Sequence, residues 1–242
     1  MMPKTDYIAL CDTVRSKTGT SDLLKSGELA YLVAGIESGN SYYDTFWDNF
    51  QKNGSKTDYK YAFYGDGWNN TIFKPKYDIS PTDASSMFNF CEMTNLQELV
   101  KTAGITIDFS GCTNMTYMLA RSKITKFPTV NVSSATQVSY MCNYATELEE
   151  ITITGIRQTH DFSGAFSVCS KLKNLMVSGV IGKNFSVVQS PLLTSESVQS
   201  IIDALADLTG ENTQTLSLHA SVKATLTEEQ LASITQKNWT VA

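Results

Sequence analysis

The middle of the chain repeats one hydrophobic pattern at a nearly constant interval. Pairs of mostly apolar residues recur with steps of 31, 23 and 24 residues, at Met87-Phe88, Met118-Leu119, Met141-Cys142 and Ala165-Phe166. An L-x-x-L-x-L-like pattern begins at Leu148 and again at Leu172, 24 residues later. A period of about 20–29 residues is the signature of leucine-rich repeats. Since one copy cannot bury its apolar edge alone, the pattern predicts a solenoid of stacked copies.

The second half of each copy alternates like a β-strand. Ile151 and Ile153 are apolar and Thr152 and Thr154 are polar, which predicts isoleucines facing a core and threonines facing solvent. The alternative, that these are unrelated amphipathic strands, leaves the agreement between copies unexplained. We therefore expect one parallel ladder through the segments Ile151–Ile153, Leu175–Val177, Leu216–Leu218 and Trp239–Val241, with Leu216 opposite Trp239, 23 residues on.

Helical periodicity predicts helices on both flanks. Two short helices are expected before residue 40, the second beginning at about Glu28 and ending at Ser38-Gly39. After Pro191, the run Ser195–Leu208 has apolar residues on one helical face, and Thr227 begins a further helix. The predicted fold is therefore mixed α/β. It comprises an N-terminal helical segment (1–40), an aromatic-rich cap (41–80), leucine-rich repeats (81–190) and C-terminal helix–strand capping repeats (191–242).

Composition narrows the function classes. Of the 242 residues, 42% are hydrophobic, which supports a folded core, and the net charge of -5 argues against a protein that follows nucleic-acid phosphates. No apolar run approaches about 18 residues, so no membrane insertion is expected. The chain does not open with a basic segment followed by an apolar one, so no secretory signal is predicted.

The five cysteines do not form a metal or redox motif. They lie 21 or more residues apart and include no C-x-x-C, so no metal site and no cofactor are predicted. Cys91 and Cys169 each stand four places after the first residue of an aligned pair. We expect both thiols to be reduced and buried in the repeat core.

Two arrangements of residues could be catalytic, and each also has a simpler structural interpretation. His160 could activate Cys142 or Cys169 as a nucleophile, although both cysteines fall in or near predicted core columns. Four carboxylates near the third repeat could perform acid–base chemistry on glycosides, namely Glu147, Glu149, Glu150 and Asp161. Such residues more often lie on solvated strand faces. We therefore predict that no residue is catalytic, with a carbohydrate-active enzyme as the alternative.

An aromatic-rich segment precedes the repeats. Residues 42–77 hold 12 of the 25 aromatic side chains, and turn residues interrupt them at 65–70. Rings beside amides suit sugar recognition, so we take as candidate ligand-binding residues Tyr64, Asp66, Trp68, Asn69 and Asn70. The favoured alternative is a cap that covers the first repeat, with Trp68 the ring expected to stay exposed. Outward hydroxyls would extend the ligand surface, from Thr152, Thr154, Ser217 and Thr240.

Three segments carry a resemblance to a known family. They are Asp83-x-Ser85-Ser86-Met87-Phe88-x-x-Cys91, Phe109-Ser110-Gly111-Cys112 and Asp161-Phe162-Ser163-Gly164-Ala165-Phe166-x-x-Cys169. Over roughly residues 80 to 190 the chain resembles the BspA-type leucine-rich-repeat proteins of bacterial surfaces. The flanks, with Asp12-x-Val14-Arg15-x-Lys17-Thr18-Gly19 and the 205–210 segment, are similar to tail and fibre-associated proteins in prophages of gut Firmicutes.

The resemblance implies a role in recognition. It implies a non-enzymatic interaction or adhesion module on a phage tail or bacterial surface. Its partner would be a protein or a cell-surface glycan, and its location the virion or the outside of the cell.

Overall fold

The computed structural model describes residues 57–71 and 73–242. The two helices predicted before residue 40, Cys11 and residues 41–56 of the aromatic-rich cap lie outside the described residues. The described part is a mixed α/β structure with short parallel strands and few helices. One continuous hydrophobic core extends from Tyr59 to Trp239.

The strands of the described part form two parallel sheets of three. The first contains β1 (Val130–Asn131), β2 (Glu150–Ile156) and β3 (Asn174–Gly179). The second contains β4 (Phe185–Val187), β5 (Gln214–Leu218) and β6 (Trp239–Val241). Each strand pairs in parallel with the next one in sequence inside its sheet.

The first sheet confirms the register predicted from the repeat. Ile153 of β2 lies opposite Val177 of β3, and Ile151 lies opposite Leu175. Ile151 and Ile153 are buried, whereas Thr152 and Thr154 are partly exposed, as the alternation predicted. Successive side chains of a strand point to opposite faces of the sheet. A slip of one residue would therefore turn the isoleucines away from the core, and this fixes the register.

Ahead of these strands the chain forms a stack of tight turns, which we call the turn ladder. It consists of segments 58–66, 83–91, 114–122, 137–145 and 161–169. Backbone hydrogen bonds of 2.7 to 2.9 Å join each segment to the next, from Phe63 N to Met87 O, Phe88 N to Met118 O, Leu119 N to Met141 O and Cys142 N to Ala165 O. The paired apolar residues of the sequence repeat are buried in this stack.

A short polar side chain opens most of the turn segments. Asp58, Asp83, Asn114 and Asp161 each accept a hydrogen bond of 2.8 to 3.1 Å from the backbone N–H two residues further on. Asp and Asn favour turns because they can mimic a backbone turn in this way. The polar residue therefore starts each turn at the same point of the repeat.

The predicted continuation of one ladder from β3 to β5 is wrong. Helix α2 (Ser195–Ala204) lies against β3 instead, and its serines take the place of a neighbouring strand. Ser197 Oγ accepts from Leu175 N at 3.0 Å and donates to Lys173 O at 3.1 Å. Ser200 Oγ lies 3.3 Å from both Val177 N and Leu175 O. These hydroxyls satisfy backbone groups that would otherwise be an open sheet edge.

The second sheet confirms that β5 and β6 are parallel but corrects their register. Leu216 lies opposite Val241, and Gln214 lies opposite Trp239, so the pairing is shifted by two residues from the predicted one. A shift of two leaves the same side chains facing the core, because the side-chain period is two. Leu216 and Trp239 are accordingly both buried.

The helices agree with the sequence in part. Helix α2 begins at Ser195 as predicted but ends at Ala204, since Leu205 leaves the helix to pair with Ile181. Helix α4 (Glu228–Gln236) begins at the predicted cap, where Thr227 and Gln230 form a reciprocal capping box. Two short helices were not predicted, α1 (Leu96–Ala103) and α3 (Ala220–Lys223).

Replacing Ser197 with alanine should destabilise the protein. The hydroxyl is fully buried, and its loss leaves Leu175 N–H and Lys173 C=O without their partner, which costs about 1–3 kcal/mol. Ser195→Ala, an exposed position in the same helix, should change the free energy of unfolding by less than about 0.5 kcal/mol. Urea unfolding measures both variants. Equal stability of the two would show that β3 does not depend on the serine.

Candidate functional site

Exposed aromatic rings gather on the outer side of the turn ladder. Their exposed fractions are 38–52%, and together they form what we call the aromatic ridge, Tyr61, Tyr64, Phe90, Tyr117, Tyr140 and Tyr144. The apolar residues of the same turns, such as Phe63 and Met118, are fully buried. The two sides of each turn therefore differ, with one set of side chains in the core and another in solvent.

Five of the six ridge residues have a left-handed backbone. Each turn segment has two residues with left-handed φ angles between 54° and 97°, four positions apart. The first position holds Tyr61, Ser86, Tyr117, Tyr140 and Gly164, and the second holds Gly65, Phe90, Arg121, Tyr144 and Val168. A left-handed residue other than glycine costs about 1–2 kcal/mol. Glycine, which adopts this conformation freely, occupies only two of the ten positions.

A shallow groove of about 320 Å³ crosses the ridge. Its walls include the rings of Tyr61, Tyr64, Phe90 and Tyr117, and its polar groups include Asn89 and Arg121. Tyr64 packs edge-on to Phe90, with 5.7 Å between ring centroids. These contacts fix the positions of the rings while leaving much of their surface in solvent.

Two tyrosines stack along the ladder. The rings of Tyr117 and Tyr140 are 4.9 Å apart and nearly parallel, at 9°. Tyr140 also lies close against Gly164 of the next turn, where an added Cβ would approach a ring carbon to 2.5 Å. The absence of a side chain at Gly164, at the first left-handed position of its turn, therefore leaves space for the Tyr140 ring.

Arg121 is the charged residue of the groove. Its guanidinium carbon lies 5.0 Å from the centroid of the Phe90 ring and 5.5 Å from that of Tyr144. Arg121 is exposed, and no carboxylate among the described residues pairs with it. The rings attract the cation through their π faces without neutralising it.

The predicted ligand-binding loop does not form one site. Tyr64 lines the groove, and Asp66 is exposed. Trp68, the ring expected to stay exposed, is only 9% exposed and packs edge-on to Phe63 at 5.0 Å, so it belongs to the core of the cap. Asn69 Oδ1 accepts from Thr71 N at 2.9 Å, which makes it a turn residue.

Asn70 of the same loop has a structural role. Its Nδ2 donates to Thr94 Oγ1 at 2.7 Å, and its Oδ1 accepts from Thr94 N at 2.9 Å. Both ends of the amide thus join two neighbouring turns of the chain.

Most residues of the aromatic ridge were not predicted from the sequence as ligand-binding residues. Phe90, Arg121 and Tyr144 follow one another at steps of 31 and 23 residues, the same steps as the core pairs, and Tyr117 precedes Tyr140 by 23. The sequence thus contains a second set of residues that recurs at the same steps as the buried apolar pairs. The hydrophobic pattern alone did not separate exposed rings from buried ones.

The four candidate carboxylates have ion-pair or turn partners. Three of them form ion pairs with a lysine one repeat away, Glu147 with Lys171 at 2.6 Å, Glu149 with Lys173 at 3.3 Å and Glu150 with Lys126 at 2.9 Å. The hydrogen bond from Lys126 lowers the pKa of Glu150, and hydrogen bonds from Ser163 lower that of Asp161. None of these shifts makes a carboxyl a better proton donor at neutral pH.

The cysteines and His160 make separate contacts. All four described cysteines are buried and free, which confirms the prediction for Cys91 and Cys169. Burial raises the pKa of both thiols to about 12. His160 Nδ1 accepts from Arg157 N at 3.0 Å, and Nε2 lies 3.0 Å from Ala135 O. Both ring nitrogens of His160 therefore have backbone partners.

Residues 57–71 and 73–242 contain neither a candidate metal cluster nor a candidate membrane-spanning helix. No cluster of three or more His, Cys, Asp or Glu side chains there could hold a metal ion. None of the helices in this part of the chain has the length and apolar character needed to cross a membrane.

Comparison with known proteins finds no match. No protein family, curated protein or solved structure matches this chain. The resemblance to BspA-type proteins therefore stays a prediction from the sequence motifs.

The buried thiols should react slowly in the folded protein. Raising a thiol pKa from 9.0 to about 12 lowers its thiolate fraction about a thousandfold at neutral pH, and burial also restricts access. In a Cys11→Ser background, a thiol reagent should modify Cys91 and Cys169 only after urea is added. Rapid modification in the native state, or a disulfide between the two, would contradict this expectation.

His160 should make stability sensitive to acid. Burial is the main cause that lowers its pKa from the usual 6.5, so the unfolded chain binds a proton more readily than the folded one. The stability that neutral His160 contributes to the folded protein is complete above about pH 6.5 and is lost as the pH falls through the lowered pKa. His160→Gln keeps a donor near Ala135 but does not titrate. From about pH 7.5 to about pH 5, urea midpoints should fall more for the native chain than for the variant.

Proposed function

We propose that this chain is a non-enzymatic interaction module of a phage tail or bacterial surface structure, which binds a cell-surface glycan or protein. The observation that carries the proposal is the aromatic ridge, six large rings exposed side by side on stacked turns. We place this module in a leucine-rich-repeat solenoid of the BspA type.

The solenoid is supported by the stacking of its parts. Turn segments and strands repeat at steps of 23 to 31 residues and bond in parallel to the next copy. The core is continuous from Tyr59 to Trp239, as expected when each copy buries its edge against its neighbour.

Strain at the ridge supports a binding role. Five of its six rings belong to residues in the left-handed conformation, Tyr61, Phe90, Tyr117, Tyr140 and Tyr144. Each costs about 1–2 kcal/mol relative to glycine and, being exposed, returns little core burial. Strained residues that contribute little to packing are typical of functional sites. Clustered exposed aromatics are also typical of recognition surfaces.

The shape of the ridge favours contact with an extended partner. The groove is shallow, and the rings lie along several turns rather than around one deep cavity. A rigid ladder holds the rings at fixed spacing, so several weak contacts can act together. The outward hydroxyls of the sheets, such as Thr152 and Thr240, could supply further contacts beyond the ridge. We therefore assign the ligand surface to the turns of the ladder rather than to the 65–70 loop beside them.

Replacing two ridge tyrosines should abolish binding without unfolding the protein. Asparagine tolerates a left-handed backbone, so in Tyr117→Asn/Tyr144→Asn the loss of a ring stack, about 0.5–1.5 kcal/mol, is offset by relief of strain. The free energy of unfolding should stay within about 1 kcal/mol of the native value, whereas the buried Phe63→Ala should lose about 3–5 kcal/mol. Urea unfolding measures these differences.

Binding is measured as attachment of the fluorescently labelled protein to a panel of intact gut Firmicutes cells. The double variant should lose attachment, and Val188→Asn, an exposed apolar residue outside the groove, should keep it. Attachment that survives the double change would exclude the ridge as the binding surface. A native protein that attaches to no cell of the panel would count against the proposed function itself.

A further inference from the structure

The groove exposes an unpaired cation on the surface of a protein with a net charge of -5. Arg121 lines it, no Asp or Glu does, and Lys60 Nζ lies 5.5 Å from the centroid of the Tyr61 ring. The described lysines near the carboxylate cluster are paired with glutamates, but Arg121 is not. The groove is therefore a local positive site on a negative molecule.

We propose that the groove binds an acidic saccharide and that Arg121 binds its carboxylate. This inference rests on the proposed function and names the ligand class of the same site. Guanidinium groups form paired hydrogen bonds with carboxylates through their planar N–H edge. Phe90 and Tyr144 restrict the motion of the guanidinium, so less entropy is lost when the ligand binds.

The rest of the groove fits a sugar ring. Tyr61 and Tyr117 offer ring surface on which the C–H face of a sugar can pack. Asn89 and Asn143 also line the groove. Asn89 Oδ1 is buried without a hydrogen-bond partner among the described residues, and Asn143 Nδ2 donates to Gly164 O at 3.4 Å, so the sugar contacts proposed here rest on the rings and on Arg121. Neighbouring strands of a ladder are about 4.8 Å apart, comparable with the length of one sugar residue.

A saccharide fits better than an acidic peptide. Extended peptides usually bind a sheet edge through free backbone N–H and C=O groups. Here backbone N–H groups of the turns already bond to the next turn, as Phe90 N does to Ala120 O and Arg121 N to Asn143 O. An acidic peptide would therefore have only side-chain contacts. The single charge of Arg121 also matches one carboxylate rather than a doubly charged phosphate.

The test is an array of immobilised saccharides and one peptide. It carries galacturonate oligomers, their methyl esters, sialylated and sulfated oligosaccharides, neutral glucans and poly-glutamate. The native protein should bind carboxylated saccharides, and methyl esterification should abolish binding. Arg121→Asn, which keeps a residue suited to left-handed φ, should weaken binding about tenfold or more. The affinity of Arg121→Lys should lie between those of the native protein and of Arg121→Asn, because lysine keeps the charge but lacks the planar guanidinium.

The matched control is Lys123→Asn. Lys123 is exposed, lies two residues from Arg121 and does not line the groove, so this variant removes the same charge without affecting binding. Equal loss in both variants would mean that only net charge matters, and would overturn the inference.

The remaining outcomes separate the inference from the proposed function. Binding of neutral or sulfated saccharides alone, or of poly-glutamate alone, would overturn the carboxylate assignment. So would a native protein that attaches to cells but binds no saccharide on the array. In each of these cases, loss of cell attachment in Tyr117→Asn/Tyr144→Asn would leave the proposed interaction module intact.

Discussion

The hydrogen bonds between successive turns are the interaction on which the rest of the structure depends. An isolated turn of this kind would leave its N–H groups unpaired and its left-handed residues unsupported. In the ladder, Phe63 N, Phe88 N, Leu119 N and Cys142 N each bond to a carbonyl of the next copy. Because these bonds lie between copies, each turn is stable only beside its neighbours. They hold one set of side chains in the core and the ridge residues in solvent.

The same constraint explains how the ladder ends on one side of the first sheet. A parallel strand needs partners for its backbone on both sides, and an open edge invites pairing with other chains. At β3 the chain supplies serine hydroxyls from a helix rather than a further strand. A hydroxyl can both donate and accept, so Ser197 satisfies an N–H and a C=O of β3 at once. The second sheet then begins separately at Phe185.

The sequence predicted the parts of the fold that depend on the repeat length and on the alternation of apolar and polar residues. The pairing of Ile153 with Val177 follows from a 24-residue offset and alternating polarity. The break after β3 could not be predicted, because it depends on which groups of a helix reach the strand. Trp68 was expected in solvent because its sequence neighbours are polar, but its environment is set by Phe63. The ridge was missed for a related reason, since hydrophobic patterns do not report on which side of a turn an aromatic ring lies.

One copy of the turn ladder is longer than its neighbours, and this bears on how the outer side of the ladder can vary. The step from Asp83 to Asn114 is 31 residues, and the additional length includes helix α1, yet the two residues are paired like Asn114 and Gln137, 23 apart. Insertions are thus absorbed away from the ridge without a change of register. Outward left-handed positions are similarly independent of the core, since tyrosine, phenylalanine, arginine and glycine all occupy them. A protein built in this way can exchange its outward residues one by one while its scaffold stays constant.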